Sequence, residues 1–115
     1  MYKVGISSWS SAANGGFELD EASFLKLKEA NISAIEIAKP AAEYKDIHYK
    51  EVEALARKYD IDLWSYHLPL QFDPLPEINP ASLDKKNREN TVKYLSELVR
   101  KGADIGIDKF VIHAS

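Results

Sequence analysis

Short apolar strand segments alternate with amphipathic helical segments along the sequence, and this alternation is the feature that most restricts the possible folds. The predicted elements are strands near 3–8, 33–38, 63–67 and 109–113, and helices near 20–30, 46–59 and 82–105. Strands separated by helices pair in parallel, because each right-handed crossover returns the chain to the same end of the sheet. The sequence therefore predicts an α/β fold in which helices cover a parallel sheet.

Each predicted helix ends in the same two-residue pattern. A residue that tolerates left-handed backbone geometry is followed by isoleucine in Asn31-Ile32, Asp60-Ile61 and Gly106-Ile107. This pattern predicts a Schellman stop, in which the isoleucine packs back on the last helical turn. Counting seven residues onward from each stop gives Ala38, His67 and His113. We therefore expect these residues to be equivalent on successive strands, with both histidines at the same height.

Side-chain alternation places Glu36, Ser65 and Val111 on the same sheet face as the histidines. Glu36 stands in an apolar strand, where a carboxylate is costly to bury unless it has a partner. We expect it to point into a polar interior; the alternative is a register in which it passes between the helices to solvent. Trp64 has the opposite parity to Ser65 and is predicted to pack against the helices in the core.

The ends of the predicted strands carry the residues best suited to chemistry. Two neutral imidazoles, His67 and His113, can bind a divalent ion, transfer protons or hold a hydroxyl group of a polyol. A catalytic zinc needs a third protein ligand, which would have to come from elsewhere. Trp9 can form one wall of a substrate pocket or close the end of the barrel. The proline-rich segment 68–81 is either a functional loop or a variable surface loop.

The composition narrows the functional classes. A net charge of −3 provides no field that attracts nucleic acid or an anionic membrane. The sequence has no cysteine, which excludes disulfides and thiolate metal sites. No apolar stretch approaches the roughly 20 residues needed to cross a bilayer, and the first residues lack the apolar core of a signal peptide. These observations predict a cytoplasmic protein whose partners are neither nucleic acid nor membrane.

The predicted strands carry motifs that resemble those of a known barrel superfamily. The motifs are Val4-Gly5-Ile6-Ser7, Ala34-Ile35-Glu36-Ile37, Ser65-Tyr66-His67-Leu68-Pro69 and Val111-Ile112-His113. With them the chain resembles the xylose isomerase-like (β/α)8 barrels, and most of all the sugar phosphate isomerase/epimerase group, which includes relatives of endonuclease IV. A complete barrel needs about 250 residues. The resemblance therefore implies that residues 1–115 are a single half-barrel domain, (β/α)4-like, from the N-terminal half of a TIM barrel with parallel strands and outer helices.

The resemblance also implies an activity for the full-length parent. Such enzymes isomerise or epimerise a keto-sugar or its phosphate by proton transfer through an enediolate, with a divalent metal ion such as Mn, Zn, Mg or Co. By resemblance, His67 and His113 match pocket histidines that contact the substrate. The main metal ligands and the proton-transferring carboxylates are expected beyond Ser115, so the chain alone is expected to be inactive. The residues expected to contact the sugar or sugar phosphate are Trp9, Glu36, His67 and His113.

Two alternatives stay open for the function. The parent can be an endonuclease IV-like metal-dependent phosphodiesterase, with His67 and His113 as metal ligands, although the acidic charge balance disfavours it. The chain can also be a non-catalytic binding or assembly module, because a fold does not fix a function. In every case a half-barrel has two open strand edges, so the sequence predicts a homo-oligomer that covers them.

Overall fold

The described part of the chain forms an α/β structure with one parallel sheet and three α-helices, as the alternating sequence pattern predicts. The computed structural model describes residues 4–9, 16–69 and 80–112. The strands are β1 (Gly5–Ser7), β2 (Ala34–Ile37), β3 (Asp62–His67) and β4 (Phe110–Val111), and the helices are α1 (Glu21–Glu29), α2 (Tyr49–Tyr59) and α3 (Lys85–Asp104). The four strands are parallel and lie in the order β1-β2-β3-β4. Neighbours in sequence are therefore neighbours in the sheet.

The element boundaries differ from the predicted ones at three places. The helix predicted near 46–59 is preceded by a separate 3-10 helix at Ala41–Asp46, and α2 itself begins at Tyr49. Helix α3 begins at Lys85 because the Asp84 side chain caps it, accepting a hydrogen bond from the Lys86 N–H at 3.3 Å. Strand β4 is Phe110–Val111, so the predicted strand positions 109 and 112 lie outside it, and position 113 lies outside the described residues.

The helix ends confirm the predicted stops. The φ angles of Asn31, Asp60 and Gly106 are 61°, 53° and 92°, all in the left-handed region. The isoleucine after each stop donates its N–H to the carbonyl five residues earlier, in Ile32–Leu27 (2.9 Å), Ile61–Ala56 (2.9 Å) and Ile107–Gly102 (3.0 Å). This is the hydrogen bond that defines a Schellman motif. At the other end of α1, the Asp20 carboxylate accepts from the Ser23 N–H at 2.9 Å, as a capping residue should.

The helices cover one face of the sheet and build the core there. Ile35, Ile37 and Tyr66 are fully buried in this core. The Tyr66 ring stacks on Tyr44 with 5.9 Å between ring centroids, and its hydroxyl lies 2.6 Å from that of Tyr49. Burial raises the pKa of Tyr44 and Tyr66 above the ordinary value for a tyrosine. The aromatic stack therefore fixes β3 to the α2 side of the molecule.

Over the segment in which the two strands pair, β3 has one residue more than β2, and this corrects the prediction for Trp64. Ile35 pairs with Leu63 and Glu36 pairs with Ser65, so Trp64 has no partner on β2. Such a bulge resets the alternation of side chains. Trp64 is consequently 48% exposed and lies on the face opposite the helices, where it helps to line a cavity. The prediction that it packs in the core was wrong because strict alternation does not hold across a bulge.

Within the part of the chain that the structure describes, no helix is both long enough and apolar enough to cross a membrane.

Candidate functional site

The sheet face opposite the helices borders an open cavity of about 520 Å³. Residues from all four strands and from the residue before β4 line it: Gly5, Ile6, Ser7, Ala34, Ile35, Glu36, Trp64, Ser65, Lys109 and Val111. We call the residues of this set other than Ile6 and Ile35, which pair with each other at positions that face the helices, the open face. Its larger apolar side chains are substantially exposed, with values of 48% for Trp64 and 37% for Val111. The open face thus combines apolar surface with one carboxylate and one ammonium group.

Glu36 is the carboxylate at the centre of the open face. It pairs with Ser7 on one side and with Ser65 on the other. The Ser65 hydroxyl donates to the Glu36 carboxylate at 2.7 Å. The side chain therefore lies on the face that strand alternation predicts, and it has the polar partner that a half-buried charge requires. One carboxylate oxygen is held in place by this bond.

Lys109 is a functional candidate that sequence reasoning missed. Its ammonium group lies 4.0 Å from the centroid of the Trp64 ring, which is cation–π geometry, and 3.0 Å from the Asp108 carboxylate. Its carbonyl accepts from the Tyr66 N–H, so Lys109 lies beside Ser65 in the sheet. The sequence shows that Lys109 stands at the start of the fourth predicted strand. Its contact with Trp64, however, depends on the bulge in β3, which the sequence does not reveal.

His67 lies at the C-terminal end of β3, where parallel α/β folds place their chemistry. Its backbone pairs with Val111, and its carbonyl accepts a hydrogen bond from the Tyr44 hydroxyl. The ring Nδ1 is 2.9 Å from the carbonyl oxygen of Leu68. A carbonyl can only accept, so Nδ1 carries the proton in this bond and Nε2 is the acceptor of the neutral ring. The backbone thus selects the tautomer.

The register of β3 and β4 departs from the equal counts on which the expected height of His113 was based. His67 pairs with Val111, which precedes His113 by two residues. The reason is that three residues, 107–109, separate the third helix stop from β4, whereas one residue separates the second stop from β3. Equal counts from the stops therefore do not give equal heights. His113 itself lies outside the described residues.

Trp9 follows β1 at the same C-terminal edge of the sheet but does not line the open face. It pairs with Gly16 in an antiparallel bridge, and the Phe17 N–H donates to the Ser8 carbonyl at 2.8 Å. Gly16 has a φ of 111°, and a Cβ there would lie 2.7 Å from the Ser8 carbonyl oxygen. Only glycine fits this close approach. These contacts hold the half-buried Trp9 where the chain leaves β1.

An ion pair at the same edge, between a buried lysine and a mostly exposed glutamate, was also missed from the sequence. Lys39 follows β2, and its side chain is 9% exposed. Its ammonium group lies 2.9 Å from the carboxylate of Glu18, a mostly exposed residue. Both residues border a second cavity of about 350 Å³ between the start of α1 and the start of α2. The pair ties the segment before α1 to the end of β2.

The open face and the C-terminal edge offer few metal ligands. Among residues 4–9, 16–69 and 80–112, no group of three or more His, Cys, Asp or Glu side chains is arranged to hold a metal ion. His67 could supply one imidazole to an ion whose other ligands come from outside this set. No protein-family model matches the chain, and no curated protein matches it in sequence.

Proposed function

We propose that the chain is the N-terminal half of a (β/α)8 barrel and that the whole protein is a divalent-metal-dependent isomerase or epimerase of a sugar or sugar phosphate. The observation that supports this most is the placement of Glu36, held by Ser65, on the face of a parallel sheet opposite the helices. In an eight-stranded barrel of this kind, that face would turn inward. The half described here contributes substrate-binding groups.

The polar groups suit a polyol better than a charged polymer. The Glu36 carboxylate can accept hydrogen bonds from sugar hydroxyls while Ser65 fixes its orientation. In the tautomer that the Leu68 carbonyl selects, Nε2 of His67 can accept a hydrogen bond from a sugar hydroxyl. Trp9, at the same strand edge, offers an aromatic surface for the C–H face of a sugar ring. His113 is proposed as a fourth contact from its sequence position alone.

A divalent ion bound in the whole protein would polarise the substrate carbonyl and stabilise the enediolate. The described residues do not form its site, so we assign them no step that passes through the ion. Their part is to bind and orient the sugar. Proton transfer between adjacent carbons is proposed for carboxylates outside this chain.

Sugar binding by the 115-residue chain tests the proposal directly. We expect the imidazole proton signals of His67 to shift in NMR titrations with keto-sugars and their phosphates. The signals of His48, exposed before α2, should stay unchanged. Glu36→Gln should weaken binding about tenfold, since a carboxylate that accepts hydroxyl bonds contributes about 1.5–3 kcal/mol. Glu43→Gln removes the same charge at an exposed position and serves as the control.

Three results would contradict the proposal. Absence of any sugar-dependent shift would show that this half carries no sugar site. Equal weakening by Glu36→Gln and Glu43→Gln would reduce the effect to overall charge. Tight zinc binding that depends on His67, together with cleavage of abasic DNA by the whole protein, would instead support the phosphodiesterase alternative.

A further inference from the structure

We infer that Tyr44 is a positioning residue for His67, placing the imidazole without contacting a ligand itself. The consequence for binding rests on the proposed sugar site, whereas the hydrogen bonds that support the inference belong to the fold. Tyr44 lies in the 3-10 helix that precedes α2, and only 2% of it is exposed. Its effect on a bound sugar must therefore pass through the residues that it holds.

The Tyr44 hydroxyl takes the place of one bond in the ladder between β2 and β3. The last pair of these strands is Ile37 with Tyr66. In a regular parallel ladder, the next hydrogen bond would run from the Lys39 N–H to the His67 carbonyl. Here the Lys39 N–H donates instead to the Tyr44 hydroxyl at 3.4 Å, and this hydroxyl donates to the His67 carbonyl. The ends of the two strands are therefore joined through a side-chain oxygen.

The peptide bond between His67 and Leu68 is held on both sides. Its carbonyl accepts from Tyr44, and its N–H donates to the Val111 carbonyl at 2.9 Å. The imidazole is bound to the next peptide, because Nδ1 donates to the Leu68 carbonyl at 2.9 Å. The orientation of the ring thus depends on a backbone whose first carbonyl is held by Tyr44, in the way that supporting hydrogen bonds fix a binding group. Without that bond, the Nδ1 contact loses part of its support.

The aromatic neighbours of Tyr44 fix it in turn. Its ring stacks on that of Tyr66, with 5.9 Å between the centroids and 17° between the planes. Tyr66 is fully buried and hydrogen-bonded to the Tyr49 hydroxyl. Burial raises the pKa of Tyr44, so its hydroxyl keeps the proton that it donates. Tyr44→Phe would keep the stack and remove only the hydroxyl, so this variant isolates the contribution of the hydrogen bond.

The tautomer of His67 tests the inference, and two-bond ¹H–¹⁵N correlation spectra report it at about pH 8.5, well above the pKa of free histidine. In the wild-type chain the ring should carry its proton on Nδ1. In Tyr44→Phe we expect a mixture of tautomers, because the Nδ1 bond then competes with water, and sugar affinity should fall about fivefold. Tyr49→Phe is the control, since it removes a hydroxyl that bonds Tyr66 rather than His67, and it should change neither quantity.

The outcomes distinguish the positioning role from the proposed function. An unchanged His67 tautomer in Tyr44→Phe, or an equal change in Tyr49→Phe, would overturn the positioning role even if the chain binds sugar. A changed tautomer in a chain that binds no sugar would uphold the positioning role and contradict the sugar site. The wild-type chain allows a test without substitution, because the Tyr44 hydroxyl proton should exchange slowly enough to be observed, with a nuclear Overhauser effect to the Lys39 N–H. Failure to observe this proton would also overturn the inference.

Discussion

Gly102 allows α3 to approach the sheet, and its replacement by alanine should destabilise the fold although alanine is the better helix former. Gly102 is buried within α3. A Cβ at this position would lie 2.8 Å from Cδ2 of Tyr66 and 2.9 Å from Cε1 of Phe110. Ordinary carbon contacts begin near 3.5 Å, so α3 or both rings would have to move by more than half an ångström.

The expected size of the effect follows from two opposing terms. Replacing glycine by alanine inside a helix stabilises it by about 1 kcal/mol. Overpacking a tight core costs about 1–3 kcal/mol, and the upper part of this range applies because Tyr66 is fully buried and held through its hydroxyl by Tyr49. The rings cannot swing aside cheaply. We therefore expect Gly102→Ala to lower the free energy of unfolding by about 1–2 kcal/mol.

Urea unfolding followed by far-UV circular dichroism measures this quantity. Ala54→Gly on the exposed side of α2 is the control and should cost about 1 kcal/mol from helix propensity alone. Combining Gly102→Ala with Phe110→Leu should cost less than the two single changes together, because the smaller side chain removes one of the two close contacts. A Gly102→Ala protein that is more stable than wild type would refute the packing argument.

Three further expectations concern hydrogen bonds and titration. Ser8→Ala should lower the free energy of unfolding by about 2–3 kcal/mol in chemical denaturation, since the buried Ser8 hydroxyl bonds both the N–H (2.8 Å) and the carbonyl (2.6 Å) of Ala38. Asp20→Ala should cost about 1 kcal/mol at pH 7. Bonds from Ser23 lower the pKa of Asp20, so this cost should vanish as urea titrations are moved to acid pH, through the folded-state pKa. Burial raises the pKa of Tyr66, so its contribution to stability should be constant below about pH 9 and fall by about 1.4 kcal/mol per pH unit above about pH 10, and Tyr66→Phe should remove that contribution.

Features that depend on a few neighbouring residues could be predicted from the sequence. The three left-handed stops and the Asp20 cap each involve contacts within one or two helical turns, so residue type and spacing are sufficient to identify them. The parallel α/β arrangement also follows from the order of the elements. The face of Glu36 follows because β2 pairs with β1 in a regular register from Ala34 to Glu36, so that Glu36 points away from the core residue Ile35.

Features that depend on pairing between strands could not be predicted in the same way. The exposure of Trp64 and its contact with Lys109 result from a bulge, which residue type does not reveal. The pairing of Val111 with His67 rather than with Ser65 results from the number of residues between a helix stop and the first paired residue of β4. The Lys39–Glu18 ion pair joins two segments that are 21 residues apart. In each case the determining contact is distant in sequence.

The unpaired residue of β3, Trp64, also marks a position at which the strand can lose one residue without a change in the pairing of its neighbours. Removing one residue from a regular strand turns every following side chain to the opposite face. At Trp64 the deletion would instead restore an uninterrupted ladder, with the Ile35–Leu63 and Glu36–Ser65 pairs unchanged. Tyr66 would still face the helices, and His67 would keep its place at the strand end. Chains shorter by this one residue can therefore retain the same core, and alignments of such chains should place their single-residue gap here.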